Sequence, residues 1–184
     1  IGTVSLCMTP GTEAYDSEDC RYVRAPLPTD DMAAFSSELS KVWSTMFTSE
    51  QICGSDRKRC TDAVQVPWKE IQTAAHQWNN ACEFTTFVGY EYSSVEQGAN
   101  LHHNVIFRSD RVTDAPISAR DVPDPFAFYA KLNAECNDSD SGCDAIAIPH
   151  NSNISNGRMF RRGYDDAAPL SEKRRVSELQ SELV

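Results

Sequence analysis

Met32, Phe35, Leu39, Val42, Trp43 and Met46 recur at spacings of three and four, which predicts a helix from Asp30 onward with one apolar face. Thr29 or Asp30 is placed to cap its start. A second stripe, Trp68, Ile71, Ala75 and Trp78, follows Pro67, a residue suited to the first helical position. The period then changes. Phe84 to Tyr90 is dense in aromatic and β-branched residues and too short for a helix, which predicts a buried strand delivering Glu91 at its end. A polar loop over 93–100 precedes a second predicted strand, Leu101 to Phe107. Eight residues are too few for a parallel crossover, so these strands, if paired, run antiparallel and bring Glu91 and His102 to one end of the sheet.

Further along, Asp124 caps and Pro125 opens a predicted helix with Phe126, Tyr129, Leu132 and Cys136 on its inner face. Asp144 to Ile148 predicts another buried strand, ending at Pro149-His150. Residues 1–29 hold turn formers without a period and read as an irregular excursion; residues 30–82 read as a helical insertion, and 83–184 as the core segment of the same single, partial domain. Val176, Leu179 and Leu183 return to helical spacing. Helix, strand, strand, helix, strand argues for an α/β fold. Ile1 in place of Met, and a periodic tail that runs to Val184 without a cap, are expected of a chain cut at both ends.

Charge narrows the functions. Among 184 residues, 17 Lys and Arg face 27 Asp and Glu, a net charge of −10. So acidic a chain is not expected to bind nucleic acid, where cationic side chains supply most of the affinity. No apolar run approaches the roughly 18 residues of a membrane span.

The seven cysteines, at 7, 20, 53, 60, 82, 136 and 143, include no C-x-x-C, which weakens zinc-finger and thioredoxin readings. Cys53 and Cys60 flank one short polar loop and Cys136 and Cys143 another, as disulfides do in oxidising compartments. Their composition leaves the connectivity open, and buried free thiols are the alternative. Local pairing favours Cys7–Cys20, Cys53–Cys60 and Cys136–Cys143, with Cys82 left for a partner outside the chain. An exported protein, periplasmic or extracellular, is expected.

Candidate chemistry gathers at strand ends, where α/β folds build their sites. Glu91 and His150 each close a predicted strand and His102 opens one; Glu, His and His suit zinc, manganese or iron. Side chains alternate along a strand, so His102 and His103 cannot share a pocket. His76 lies off its apolar stripe and reads as a solvated residue. The segment Pro149 to Phe160 sets three Asn, two Ser and Arg158 directly after His150. Asn151 and Asn153 offer donors and acceptors, and Arg158 a planar fork, for a small anionic substrate. Gly-x-Ser-x-Gly, P-loop and His-Glu-x-x-His motifs are absent.

Three runs, FTTFVGYEYSS (84–94), NLHHNVIFR (100–108) and AIPHNSNISNGRMF (147–160), together with the Cys7–Cys20 stretch, resemble a bacterial family of unknown function. That family is related to the PHP (polymerase and histidinol phosphatase) metal-dependent phosphoesterases. The resemblance implies a distorted (β/α)7 barrel, here with disulfide-tied loop insertions, and several divalent metal ions at its mouth. It implies that Glu91 bridges metals and that His102 and His150 are single ligands, all three being catalytic. Relatives usually carry Arg where His103 stands, so His103 is not a ligand by resemblance. The family's opening His-x-His and Asp-His motifs are expected upstream of Ile1, and its closing Asp-x-His beyond Val184. The resemblance thus implies a metal-dependent hydrolase, a phosphoesterase first of all, with metal-activated water as the nucleophile and this stretch inactive on its own. The rivals are a secreted binding module on the same fold and a hydrolase of other substrates.

Overall fold

A computed structural model describes residues 2–96, 98–150 and 152–159. The chain divides into two compact units, residues 1–70 and 71–184. The helical spacing of Val176, Leu179 and Leu183 lies outside the described residues.

The first unit is helical. Residues 1–29, expected to be irregular, contain α1 (Gly2–Met8) and α2 (Glu18–Val23), joined by the Cys7–Cys20 disulfide. Helices this short show no period in a sequence, and at this length they depend on tertiary ties. Helix α3 (Met32–Thr48) follows, capped by Asp31, one residue later than expected, whose carboxylate accepts from Ala33 N at 2.8 Å. Val42 and Met46 of its stripe are buried, whereas Met32 and Trp43 are exposed. Ser49 caps the single turn α4 (Glu50–Cys53) through Ile52 N. Cys53 is bonded to Cys60, and all four of these half-cystines lie in the unit's core with Ala14, Val23 and Ile52.

Helix α5 (Lys58–Trp78) crosses the division between the units. Its start corrects the expectation that Pro67 opens a helix: Pro67 sits inside. Trp68 is buried, but Trp78, expected on the inner stripe, is 66% exposed; His76 is exposed, as expected.

The second unit is built on a three-stranded antiparallel sheet, ordered β1 (Gly89–Glu96), β2 (Ala99–Phe107), β3 (Ala145–Pro149). The ladder runs into the expected eight-residue loop as far as Glu96, which pairs with Ala99; Gly98, at φ 76°, supplies left-handed backbone just before β2. The first strand also starts later than Phe84. Its ladder with β2 begins at Gly89, paired with Ile106, whereas Phe84 forms only an isolated bridge with Asn80, and Phe84 and Phe87 are exposed. Gly89 is needed there: a Cβ would meet Val105 O at 2.7 Å.

Alternation gives the sheet two unlike faces. Tyr92, Ser94, Leu101, His103, Val105, Phe107, Ala145 and Ala147 are buried on one. Helix α6 (Pro125–Leu132), capped by Asp124 as expected, packs Phe128 flat on Tyr92 with ring centres 3.9 Å apart. Phe128, not Phe126, is the buried aromatic there beside Tyr129 and Leu132. A π-helical turn (Asn133–Asn137) carries Cys136 to its disulfide with Cys143. The last strand is half-buried rather than buried, since Ile146 and Ile148 remain 36% and 39% exposed on the other face. The architecture is mixed α/β, and among the described residues the sheet is open, with no closure into a barrel.

Candidate metal centre

The open face of the sheet collects Glu91 and Ser93 from β1, His102 and Asn104 from β2, and Ile148 from β3. The register sets this grouping: Ser93 lies opposite His102, Glu91 opposite Asn104, and Asn104 opposite Ile148. His150 follows β3 directly, and its N–H donates to His102 O at 3.0 Å, which extends the ladder by one rung. Glu91 therefore sits inside its strand rather than at the end, diagonal to His102.

These side chains converge. One donor atom from each of Glu91, His102 and His150 lies within 4.8 Å of the others. Glu91 spreads its two oxygens between the rings: Oε1 is 3.2 Å from His102 Nδ1, and Oε2 is 3.2 Å from His150 Nε2. The ring centres are 5.8 Å apart, edge to face. Both Nε2 atoms are buried and make no hydrogen bond among the described residues, so His150 Nε2 comes close to Glu91 without hydrogen-bond geometry. A tetrahedron with bonds of about 2.0–2.1 Å has edges of about 3.3–3.4 Å, close to this spacing. A buried unpartnered nitrogen costs about 1–3 kcal/mol, which a bound cation would offset. The donor set of two imidazoles and a carboxylate fits a divalent transition metal.

His103 points the other way, as alternation requires. It is 2% exposed, its Nδ1 lies 3.0 Å from Leu101 O, and its ring meets Tyr129 edge-on at 5.3 Å. Burial pushes its pKa down to about 4, so the ring is neutral at pH 7. Tyr129 beside it is pushed well up by the same burial.

The expected substrate residues do not join the cluster. Arg158 lines a cleft on the packed face with Leu101, His103, Tyr129 and Met159, with room for about one water. Asn151 lies outside the described residues, as does the side chain of Asn153. Sequence reasoning missed Ser93, read as loop. Its hydroxyl donates to Glu91 Oε1 at 2.5 Å, and counting two residues on from Glu91 would have found it.

A family model described as "Protein of unknown function (DUF3604)" matches residues 1–183, and the chain belongs to that family. No curated protein and no solved structure matches it. The three cysteine pairs are bonded as local pairing favoured, and Cys82 is free and exposed. No helix among the described residues is long and apolar enough to cross a membrane.

Proposed function

We propose that Glu91, His102 and His150 hold a divalent metal ion and that the chain contributes this centre to a metal-dependent hydrolase of the PHP type, a phosphoesterase first of all. The observation that carries this reading is the Glu91 carboxylate split between His102 Nδ1 and His150 Nε2 at 3.2 Å each, with that His150 nitrogen buried and without a hydrogen bond among the described residues. A divalent ion there supplies a Lewis acid and lowers the pKa of water toward neutrality. The chain's own residues do the rest. Three protein donors leave positions open for water and substrate, the arrangement of catalytic rather than structural zinc sites. Asn104, exposed and directly opposite Glu91, is placed to orient an anionic substrate over the same face. Arg158, Asn151 and Asn153 are proposed as further substrate contacts.

In this reading the open sheet is a segment of the distorted (β/α)7 barrel, which would have to gain parallel neighbours along the free edges of β1 and β3. Three disulfides support export to the periplasm or the cell exterior.

Elemental analysis after equilibration with zinc or manganese tests the centre. In a full-length form, wild type should retain at least one ion, and Glu91→Ala and His150→Ala should each lower the bound metal, while His76→Ala keeps it. Equal metal in all four would overturn the assignment. A metal-loaded protein that cleaves neither p-nitrophenyl phosphate nor its diester, in a full-length form, would favour the non-catalytic binding module; cleavage of carboxylic esters or amides instead would favour a hydrolase of other substrates.

A further inference from the structure

We infer that Ser93 is the positioning residue of the metal centre: its hydroxyl fixes the Glu91 carboxylate in the orientation that divides its oxygens between His102 and His150. This rests on the metal reading above and deepens it.

The register brings the group there. Ser93 follows Glu91 by two residues on β1, so both project from the same face, and it pairs directly with His102 across β2. Its Oγ donates to Glu91 Oε1 at 2.5 Å, the oxygen that also lies 3.2 Å from His102 Nδ1. Glu91 is the most exposed of the three ligands, at 43% against 16% and 25%, and no other hydrogen bond among the described residues is shown to hold it. Unrestrained, a half-exposed glutamate on a long side chain samples many rotamers. With Oε1 engaged by a neighbouring hydroxyl, Oε2 is left turned toward His150. Ligating carboxylates are commonly hydrogen-bonded in this way, and loss of such a partner typically weakens metal binding about 10- to 100-fold. Ser93 itself needs no contact with metal or substrate.

The experiment measures zinc affinity of the protein in a full-length form by competition with a chromophoric chelator, for wild type, Ser93→Ala, Ser93→Thr and Glu91→Gln. Cobalt is then substituted, and its visible spectrum reports ligand geometry. Ser93→Ala should bind zinc about 10- to 100-fold more weakly and change the cobalt spectrum, with the thermal midpoint of the metal-free chain unmoved. Ser93→Thr, which restores a hydroxyl at the same position and is well suited to a strand, should recover affinity to within about threefold. Should Ser93→Ala bind as tightly as wild type while Glu91→Gln fails to bind, this inference falls and the metal centre stands. If Ser93→Thr is as weak as Ser93→Ala, the hydroxyl is not the cause and the inference also falls. Wild-type chain that takes up no zinc overturns both.

Discussion

His102 and His103 are neighbours in sequence and share a strand, yet the two faces of the sheet give them opposite chemistries. On the packed face, His103 sits among Tyr92, Phe128 and Tyr129 with one nitrogen near Leu101 O. On the open face, His102 keeps its Nε2 buried without a partner and turns its Nδ1 toward a carboxylate. One face spends its polar groups on internal hydrogen bonds, as when Tyr92 and Ser94 reach Pro123 O. The other leaves donors uncommitted. Stability and the proposed metal binding thus fall on opposite faces of one sheet, and a substitution should affect one or the other according to its parity along the strand.

The largest test of that separation is on the packed face. Phe128→Ala, removing a fully buried ring stacked on Tyr92, should cost about 3–5 kcal/mol in urea unfolding. A cost below about 1 kcal/mol would show that the packed face is not where the unit's stability resides.

Protonation of His103 comes next. Its folded pKa, about 4, lies below the ordinary 6.5, because burial disfavours the imidazolium. Between these values the unfolded chain takes up a proton that the folded chain refuses. The stability is therefore complete above pH 6.5, falls as the pH drops toward 4, and by then has lost about 3 kcal/mol through this group. Urea midpoints at pH 7, 5.5 and 4.5 should show this decline, and His103→Gln should flatten it. An equally steep decline in the variant would assign the effect to other groups.

The smallest effect is expected on the open face. His102→Ala and His150→Ala should leave the metal-free chain within about 1 kcal/mol of wild type, or slightly above it, since each removes a buried unpartnered nitrogen. Losses as large as that of Phe128→Ala would make both histidines part of the packing and dissolve the contrast.

What could be read in the sequence divides along the same physical line. Local chemistry was legible: the Asp124 cap, helix α3 with Val42 and Met46 on its buried side, and the pairing of cysteines across short loops. So was the alternation that sets His102 and His103 apart, and the loop-length argument for an antiparallel pair. Strand limits were not legible. Phe84 to Val88 has strand-forming residues, but a strand extends only as far as its partner's ladder, and the register with β2 starts at Gly89, with one further bond from Phe107 N–H to Val88 O. Nor could helix α5 be placed, since a proline within it reads as a start. The candidate site shows both sides: the grouping of Glu91, His102 and His150 follows from residue type and strand order, whereas Ser93 became visible only once β1 was known to run through the supposed loop.

The spacing of the cysteines has a consequence for how the chain acquires its covalent form. The bonded pairs are separated by 13, 7 and 7 residues, and each bond lies within one unit. Segments this short collide on the order of every 10–100 ns, so each correct partner is the nearest sulfur in an unfolded chain. Oxidation can then proceed bridge by bridge as the polypeptide emerges, in any order, without long-range reshuffling. The thiol that can undo this is Cys82, exposed and unpaired, because exchange begins by attack of an accessible thiolate on an existing disulfide.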